Sequence, residues 1–266
     1  MSKYEKISTR ELKRNNRLKT AMRNRILREF VSGAAPARCK LPPAGFPFRA
    51  IGRVFVEVRE PGETSYEWMT GIRVTENVVL TCAHGIRARA TRKWIRSAYF
   101  VPTLADDGHQ HTEAPQFLEA EFVAQRNGWR KDKKSFRKWD YSCLTIDPGS
   151  APETLDLRIT DLALPKLEVF GFSPNALGGS RLLSTDTEWF QGTSFPTMRK
   201  GGIAIDNVPF DRGASGSALC DPASHAVHGI FVEKRIRTPR RGGINAAFVT
   251  PIDQNVIDLV RYADRL

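Results

Sequence analysis

Three short segments of the chain contain the side chains of an acyl-transfer reaction. His84 lies in VVLTCAHG, Asp140 opens DYSCLTID, and Ser215 lies in the glycine-rich DRGASGSALCD. A serine hydroxyl becomes a nucleophile when an imidazole accepts its proton, and a carboxylate on the other ring nitrogen fixes the tautomer of that imidazole. These residue types predict Ser215 as nucleophile, His84 as general base and Asp140 as the group that orients His84.

The glycines beside Ser215 predict a second part of such a site. Gly213 allows a tight backbone turn, so that its N–H and the N–H of Ser215 can converge on one point. Two convergent donors form an oxyanion hole, and removing one donor from such a hole costs about 2.7–4 kcal/mol of transition-state stabilisation. We therefore expect Gly213 and Ser215 to form the oxyanion hole.

The three segments resemble the motifs of trypsin-like serine peptidases, which have the chymotrypsin fold. In that family Thr-Ala-Ala-His, an Asp that opens a strand and Gly-x-Ser-Gly-Gly or Gly-x-Ser-Gly-Ser follow in this order, and here they correspond to residues 81–84, 140–144 and 213–217. The same triad occurs in other orders on unrelated folds. The Gly-x-Ser-Gly-Ser form is most similar to the bacterial glutamyl-endopeptidase and HtrA-like branches. The resemblance implies a serine endopeptidase without metal or organic cofactor.

The resemblance and the strand pattern predict an all-β protein. We expect two six-stranded antiparallel β-barrels, an N-terminal basic helix and a C-terminal helix, and 266 residues are enough for both cores. The predicted units are residues 1–45 as a helical arm and linker, 46–160 as the barrel with His84 and Asp140, and 161–266 as the barrel with Ser215 and the terminal helix.

Runs rich in β-branched and aromatic residues predict the individual strands. In the first barrel these are residues 51–58, 67–74, 78–83, 98–102, 118–124 and 141–146. In the second barrel they are residues 167–172, 180–184, 202–205, 217–220, 227–233 and 244–250. The near-helical spacing of Val256, Leu259 and Val260 predicts a helix within residues 253–266.

Residues 8–32 are predicted to form a basic amphipathic helix. Ser8 and Glu11 match a capping box and Gly33 is a stop signal. Residues 1–40 contain 12 Lys and Arg against three Glu, while the whole chain has a formal charge of +12. Three interpretations remain open: a helix docked on the barrels, a surface that binds a membrane or nucleic acid, or an inhibitory or targeting arm.

Cysteine usage and the lack of an apolar leader predict a cytoplasmic protein. No run approaches the roughly 20 apolar residues of a membrane-spanning helix, and residues 1–32 lack the pattern of an export signal. The cysteines are Cys39, Cys82, Cys143 and Cys220. Secreted members of the resembling family usually have a disulfide-bonded cysteine directly after the catalytic His, where this chain has Gly85. We expect unpaired core thiols; a redox switch between Cys82 and Cys143 is the alternative.

The resemblance also indicates which residues line the primary substrate pocket. The corresponding positions are Phe210, Phe231, Glu233 and Phe248. No acid precedes Ser215 where a trypsin-like pocket would need one, and Phe231 stands where glutamyl endopeptidases carry His. We therefore expect an apolar primary specificity toward a protein or peptide substrate.

Two other functional interpretations of the sequence remain open. In the first, the barrels are catalytically silent and act as a peptide-binding module. In the second, the chain is a basic protein that associates with nucleic acid, and only the N-terminal helix favours it. His109 and His111 lie in a polar segment that we interpret as a solvated loop, so no metal site is predicted.

Overall fold

A computed structural model describes thirteen stretches of the chain. The described residues are 3–8, 50–60, 63–86, 97–102, 118–126, 136–148, 153–160, 167–172, 197–199, 202–206, 214–221, 223–235 and 246–266. They form thirteen β-strands and two α-helices. The predicted strand at 180–184 and the predicted helix at 8–32 lie outside them, except for Ser8, which ends the first strand.

The first sheet contains seven strands and closes into a barrel. Its strands are β1 (Tyr4–Ser8), β2 (Ile51–Glu60), β3 (Glu63–Arg73), β4 (Val78–Thr81), β5 (Ala98–Pro102), β6 (Leu118–Arg126) and β7 (Ser142–Ile146). They pair in the order β1-β6-β5-β2-β3-β4-β7, and β6 also pairs with β7. Strands β2 to β7 therefore form a closed six-stranded antiparallel barrel, as predicted.

Alternating apolar side chains fill this barrel, which explains why these sequences form strands. Val54 and Val56 of β2 point to one face of their strand, as residues two apart must. Each fully buried aliphatic or aromatic side chain stabilises the fold by about 1.5–3 kcal/mol. The interior cluster consists of Val54, Val56, Met69, Val79, Cys82, Ile86, Ala98, Phe100, Leu118, Ala120, Val123, Leu144 and Ile146.

The second sheet has six strands but differs from the predicted second barrel. Its strands are β8 (Glu168–Phe170), β9 (Thr197–Arg199), β10 (Gly202–Asp206), β11 (Ala218–Cys220), β12 (Val227–Arg235) and β13 (Ala246–Pro251). They pair antiparallel in the order β8-β11-β12-β13-β10-β9, and within the described ranges no pairing joins β8 to β9. The two edge strands have only three residues each. The sheet is therefore open, and a second closed barrel is not shown.

A C-terminal helix covers the outside of the barrel. Helix α2 (Gln254–Ala263) falls within the predicted segment, and the Asp253 side chain caps it by accepting hydrogen bonds from the N–H groups of Asn255 and Val256. Caps of this kind contribute about 1 kcal/mol. The buried face of α2 packs against β6 and β7.

Strand β1 was not predicted from the sequence. It lies beside β6 and contacts α2. It pairs with β6 from Tyr4↔Arg126 to Ser8↔Phe122. The Tyr4 hydroxyl donates to the carbonyl of Asn255 at 3.2 Å, and Lys3 Nζ lies 3.2 Å from Asp258 Oδ2. Strand β1 is therefore an additional strand beside the closed barrel, held there by β6 and by α2.

A second hydrophobic cluster, distinct from the barrel interior, joins the two sheets. Ile72, Leu80 and Tyr141 from the first sheet region pack in the same cluster as Ala218 and Ile230 from the second. A backbone hydrogen bond crosses the seam from Thr70 N to Ser215 O at 2.8 Å. The seam therefore fixes segments that are far apart in the sequence relative to one another.

Candidate active site

His84 is presented at the seam by a buried strand. All four residues of β4 are buried, and the short helix α1 (Ala83–Ile86) follows directly. Ala83 and Ile86 anchor this turn in the core, while the His84 side chain keeps 30% of its surface exposed. The imidazole is therefore held by rigid elements and remains accessible.

Asp140 contacts both the backbone and the ring of His84. It follows a 3₁₀ turn (Phe136–Trp139), precedes β7, and has a side chain only 1% exposed. Its Oδ1 accepts from His84 N at 2.8 Å, and its Oδ2 lies 2.9 Å from His84 Nδ1. A carboxylate only accepts hydrogen bonds, so in the neutral ring Nδ1 carries the proton and Nε2 is left as an acceptor.

Ser215 completes a continuous chain of polar contacts. Its Oγ lies 3.0 Å from His84 Nε2 and 3.3 Å from the carbonyl oxygen of Val232. The distance to Nε2 is within the reach of direct proton transfer. The structure thus brings together His84, Asp140 and Ser215, the three residues that the sequence motifs single out.

Thr70 fixes the Ser215 segment to the first barrel. Its N–H donates to Ser215 O, and its own carbonyl accepts from Thr81 Oγ1 at 2.6 Å. Its hydroxyl accepts from Phe172 N at 3.0 Å and lies 3.3 Å from Ser217 Oγ. Sequence motifs did not reveal this role, because a threonine in a strand has no local signature of a contact across the seam.

Gly216 is the residue that lets the Ser215 segment approach Thr70. Its φ is +89°, which side chains other than Gly rarely adopt, and a Cβ there would lie 2.0 Å from the backbone oxygen of Thr70. Its N–H donates to the carbonyl of Phe231 at 2.8 Å. The glycine after Ser215 is therefore required by both conformation and space.

Gly216→Ala is expected to destabilise the fold and to displace Ser215. Strain at such a φ costs about 1–3 kcal/mol, and the clash with Thr70 adds to it because a backbone atom cannot rotate away. Urea denaturation should therefore show a free energy of unfolding lower by at least about 2 kcal/mol. The exposed Arg158→Ala variant serves as control and should stay within about 0.5 kcal/mol of the parent. Equal stability of Gly216→Ala and the parent would contradict the observed backbone geometry.

The pKa of His84 is raised well above its ordinary value by its surroundings. Burial by itself lowers this pKa, but the Asp140 carboxylate and the nearby Cys82 sulfur outweigh burial because they favour the imidazolium. The imidazole is therefore a stronger base than a free histidine. This property suits a group that must accept a proton from a serine hydroxyl.

The predicted pocket residues have different positions. Phe231 is 2% exposed and packs in the core, whereas Phe248 is half-buried on β13 and Glu233 lies on β12. Phe210 and Gly213 lie outside the described residues. The pocket assignment and the second oxyanion donor therefore stay predictions.

The described cysteines are thiols that lie in separate places. Cys82, Cys143 and Cys220 are buried and form no disulfide, while Cys39 lies outside the described residues. Cys82 belongs to the barrel interior and Cys143 to the core between the sheets. Burial raises the pKa of the Cys143 thiol strongly. These positions give no support to the alternative of a redox switch between Cys82 and Cys143.

Comparison with solved structures identifies the fold. No protein-family profile matches the chain, and no curated protein sequence does. The chain is similar to a Glu endopeptidase solved in complex with MPD (TM-score 0.58, 16% identity, 83% of this chain and 93% of that chain covered). It is also similar to the thermostable serine protease AL20 from an extremophilic microorganism (0.60, 14%, 82% and 98%) and to protease Anisep from Arthrobacter nicotinovorans (0.60, 14%, 84% and 98%). These similarities show the chymotrypsin fold and confirm that prediction.

No helix in the described ranges is long and apolar enough to cross a membrane.

Proposed function

We propose that the chain is a serine endopeptidase that acts through an acyl-enzyme on Ser215. The observation that supports this most is the chain of contacts from Asp140 through His84 to Ser215, at 2.9 and 3.0 Å. Together with the chymotrypsin fold, it matches the geometry that peptide hydrolysis requires. A cytoplasmic location is part of the proposal, because the described cysteines are thiols.

The proposed reaction has two proton-coupled steps. Ser215 Oγ attacks the peptide carbonyl carbon while its proton passes to His84 Nε2, and the carbonyl oxygen becomes an oxyanion facing the N–H groups of Gly213 and Ser215. The C–N bond then breaks as the imidazolium returns the proton to the leaving amine. Water attacks the resulting ester in the same way and releases the acid. Throughout, Asp140 stabilises the imidazolium without taking up the proton.

Active-site labelling tests the proposal directly. A fluorophosphonate probe should modify Ser215, because only an activated hydroxyl reacts quickly, and peptide mapping by mass spectrometry locates the adduct. The Ser215→Ala protein should remain unlabelled. A peptide-binding module with the same fold would bind peptides without labelling, so folded wild-type protein that stays unmodified would favour that alternative.

We also propose an apolar primary specificity, with Phe210, Phe231, Glu233 and Phe248 around the pocket. A peptide library read by mass spectrometry should give cleavage after apolar residues. Cleavage confined to sites after charged residues would refute this pocket.

Residues 8–32 remain a proposed site for an anionic membrane or nucleic-acid partner. The test is salt-dependent binding to acidic vesicles and to RNA, measured before and after deletion of residues 1–35. Binding that the deletion leaves unchanged would refute this proposal.

The pH dependence of the activity should follow His84. Only the neutral imidazole can accept the Ser215 proton, so kcat/KM is expected to rise as pH increases through the His84 pKa. Because this pKa is raised, the acid limb should lie above the ordinary histidine value of about 6.5. Initial rates across a pH series, with folding checked by circular dichroism, measure the limb. An acid limb at or below the ordinary histidine value of about 6.5 would contradict the proposed effect of Asp140 on His84.

A further inference from the structure

A second group of donor atoms lies behind the His84 ring, inside the barrel. Cys82 Sγ is 3.6 Å from Met69 Sδ and 3.9 Å from His84 Nε2. Cys82 is completely buried and Met69 is 2% exposed, while 30% of the His84 side chain is exposed. The Cys82 thiol therefore lies within 4 Å of both a thioether sulfur and an imidazole nitrogen.

We propose that Cys82, Met69 and His84 bind a monovalent soft metal ion, Cu(I), which switches off the nucleophile. Thiolate and thioether ligands select Cu(I) over harder ions. With metal–sulfur bonds of about 2.3 Å and a metal–nitrogen bond of about 2.0 Å, the two observed separations correspond to angles of roughly 100° and 130° at the metal. Both angles are compatible with a three-coordinate ion that Cys82 Sγ shares with Met69 Sδ and His84 Nε2.

The balance of charge favours a monovalent ion. When Cu(I) binds, the S–H bond of Cys82 breaks, its proton leaves to solvent and a sulfur–copper bond forms, with no change of oxidation state. The pair of thiolate and Cu(I) has no net charge, whereas a divalent ion would leave a positive charge in a site lined by buried sulfur. Among the described residues, no group of three or more His, Cys, Asp and Glu could hold a metal, so this site depends on the thioether of Met69.

Gly85 makes room for that thioether. A Cβ at position 85 would lie 2.3 Å from Met69 Cε and 2.4 Å from Met69 Sδ. A side chain after His84 would therefore displace the Met69 thioether from its observed position. The absence of a side chain at Gly85 brings the third donor to the site.

Binding of Cu(I) and the function of His84 as a base exclude each other. With Nδ1–H donating to Asp140, the one lone pair left on the ring is that of Nε2, which lies 3.0 Å from Ser215 Oγ. A metal ion on Nε2 takes the lone pair that would accept the Ser215 proton. The inhibitory part of this inference rests on the proposed protease function, whereas the binding part does not.

Binding is tested in a Ser215→Ala, Cys39→Ala background, titrated with Cu(I) under anaerobic conditions against the chelator bicinchoninate. Removal of the one anionic ligand should weaken binding more than the 10–100-fold seen for outer-shell changes, so we expect at least a 100-fold loss in Cys82→Ala. Met69→Leu keeps the volume and removes a neutral thioether, a weaker donor than the anionic thiolate, so it should weaken binding less than Cys82→Ala but at least tenfold. Cys143→Ala, which removes another buried thiol, should leave binding unchanged. Circular dichroism confirms that each variant is folded.

Three results of this titration would overturn the inference: no Cu(I) binding, equal affinity of Cys82→Ala and its parent, or equal losses in Cys82→Ala and Cys143→Ala.

Inhibition is measured separately in protein with Ser215 intact. One equivalent of Cu(I) should slow fluorophosphonate labelling at least tenfold in this protein, and it should not slow labelling when Cys82→Ala is also present. Tight binding without inhibition would refute the switch and leave the metal site. If the parent fails to label even without copper, the protease proposal fails, and the titration still decides the site.

Discussion

Ser215→Ala and His84→Ala are each expected to lower kcat about 10⁶-fold, and the double variant is expected to lose no more than either alone. The two side chains act as one unit because Ser215 Oγ must transfer its proton to His84 Nε2, 3.0 Å away, as it attacks. Without the base the hydroxyl stays a weak nucleophile, and without the hydroxyl the base has no proton to accept. Steady-state cleavage of a peptide found in the library experiment measures both losses.

The matched control is Ser224→Ala, which removes an exposed serine from the turn around Asp221 and should retain the wild-type kcat. A double variant that loses the product of the two single effects would show that Ser215 and His84 act independently. That result would contradict a shared proton transfer. Loss of kcat in the Ser224 control would instead point to a defect in folding.

The triad residues could be predicted because each lies in a short motif with its own local geometry. His84 follows an apolar strand, Asp140 precedes one, and Ser215 lies between glycines, and these features are visible in the sequence. The motifs cannot show that the three groups meet, because His84 is 56 positions from Asp140 and 131 positions from Ser215 in the sequence. Their convergence depends on packing between the two sheets.

Contacts across the fold explain most of what the sequence did not predict. Strand β1 pairs with β6, whose sequence lies more than a hundred positions away, and five residues alone carry no strong strand signal. Thr70 contacts the Ser215 segment by hydrogen bonds that no local pattern requires. Closure of the second sheet was expected from the family resemblance. Closure requires the edge strands β8 and β9 to pair with each other, and the strand propensity of a segment does not determine which partner it pairs with.

Asp140→Asn is expected to lower kcat about 10⁴-fold while leaving the fold intact, because the substitution reverses the tautomer of His84. The geometry dictates how the new amide must lie. His84 N–H donates to Oδ1, so the amide oxygen must occupy that position and the amide NH₂ must face Nδ1. An NH₂ donor requires Nδ1 to accept, which places the ring proton on Nε2 and removes the lone pair that Ser215 needs.

The same substitution should lower the pKa of His84, because the carboxylate that favours the imidazolium is gone. Imidazole ¹⁵N NMR reports both changes, as a proton that moves from Nδ1 to Nε2 and as a titration shifted to lower pH. The control is Asp253→Asn, the same chemical change at the cap of α2, where Asn caps as well as Asp and kcat should be unchanged. If Asp140→Asn kept kcat within tenfold of wild type with the proton still on Nδ1, Asp140 could not be the residue that orients His84.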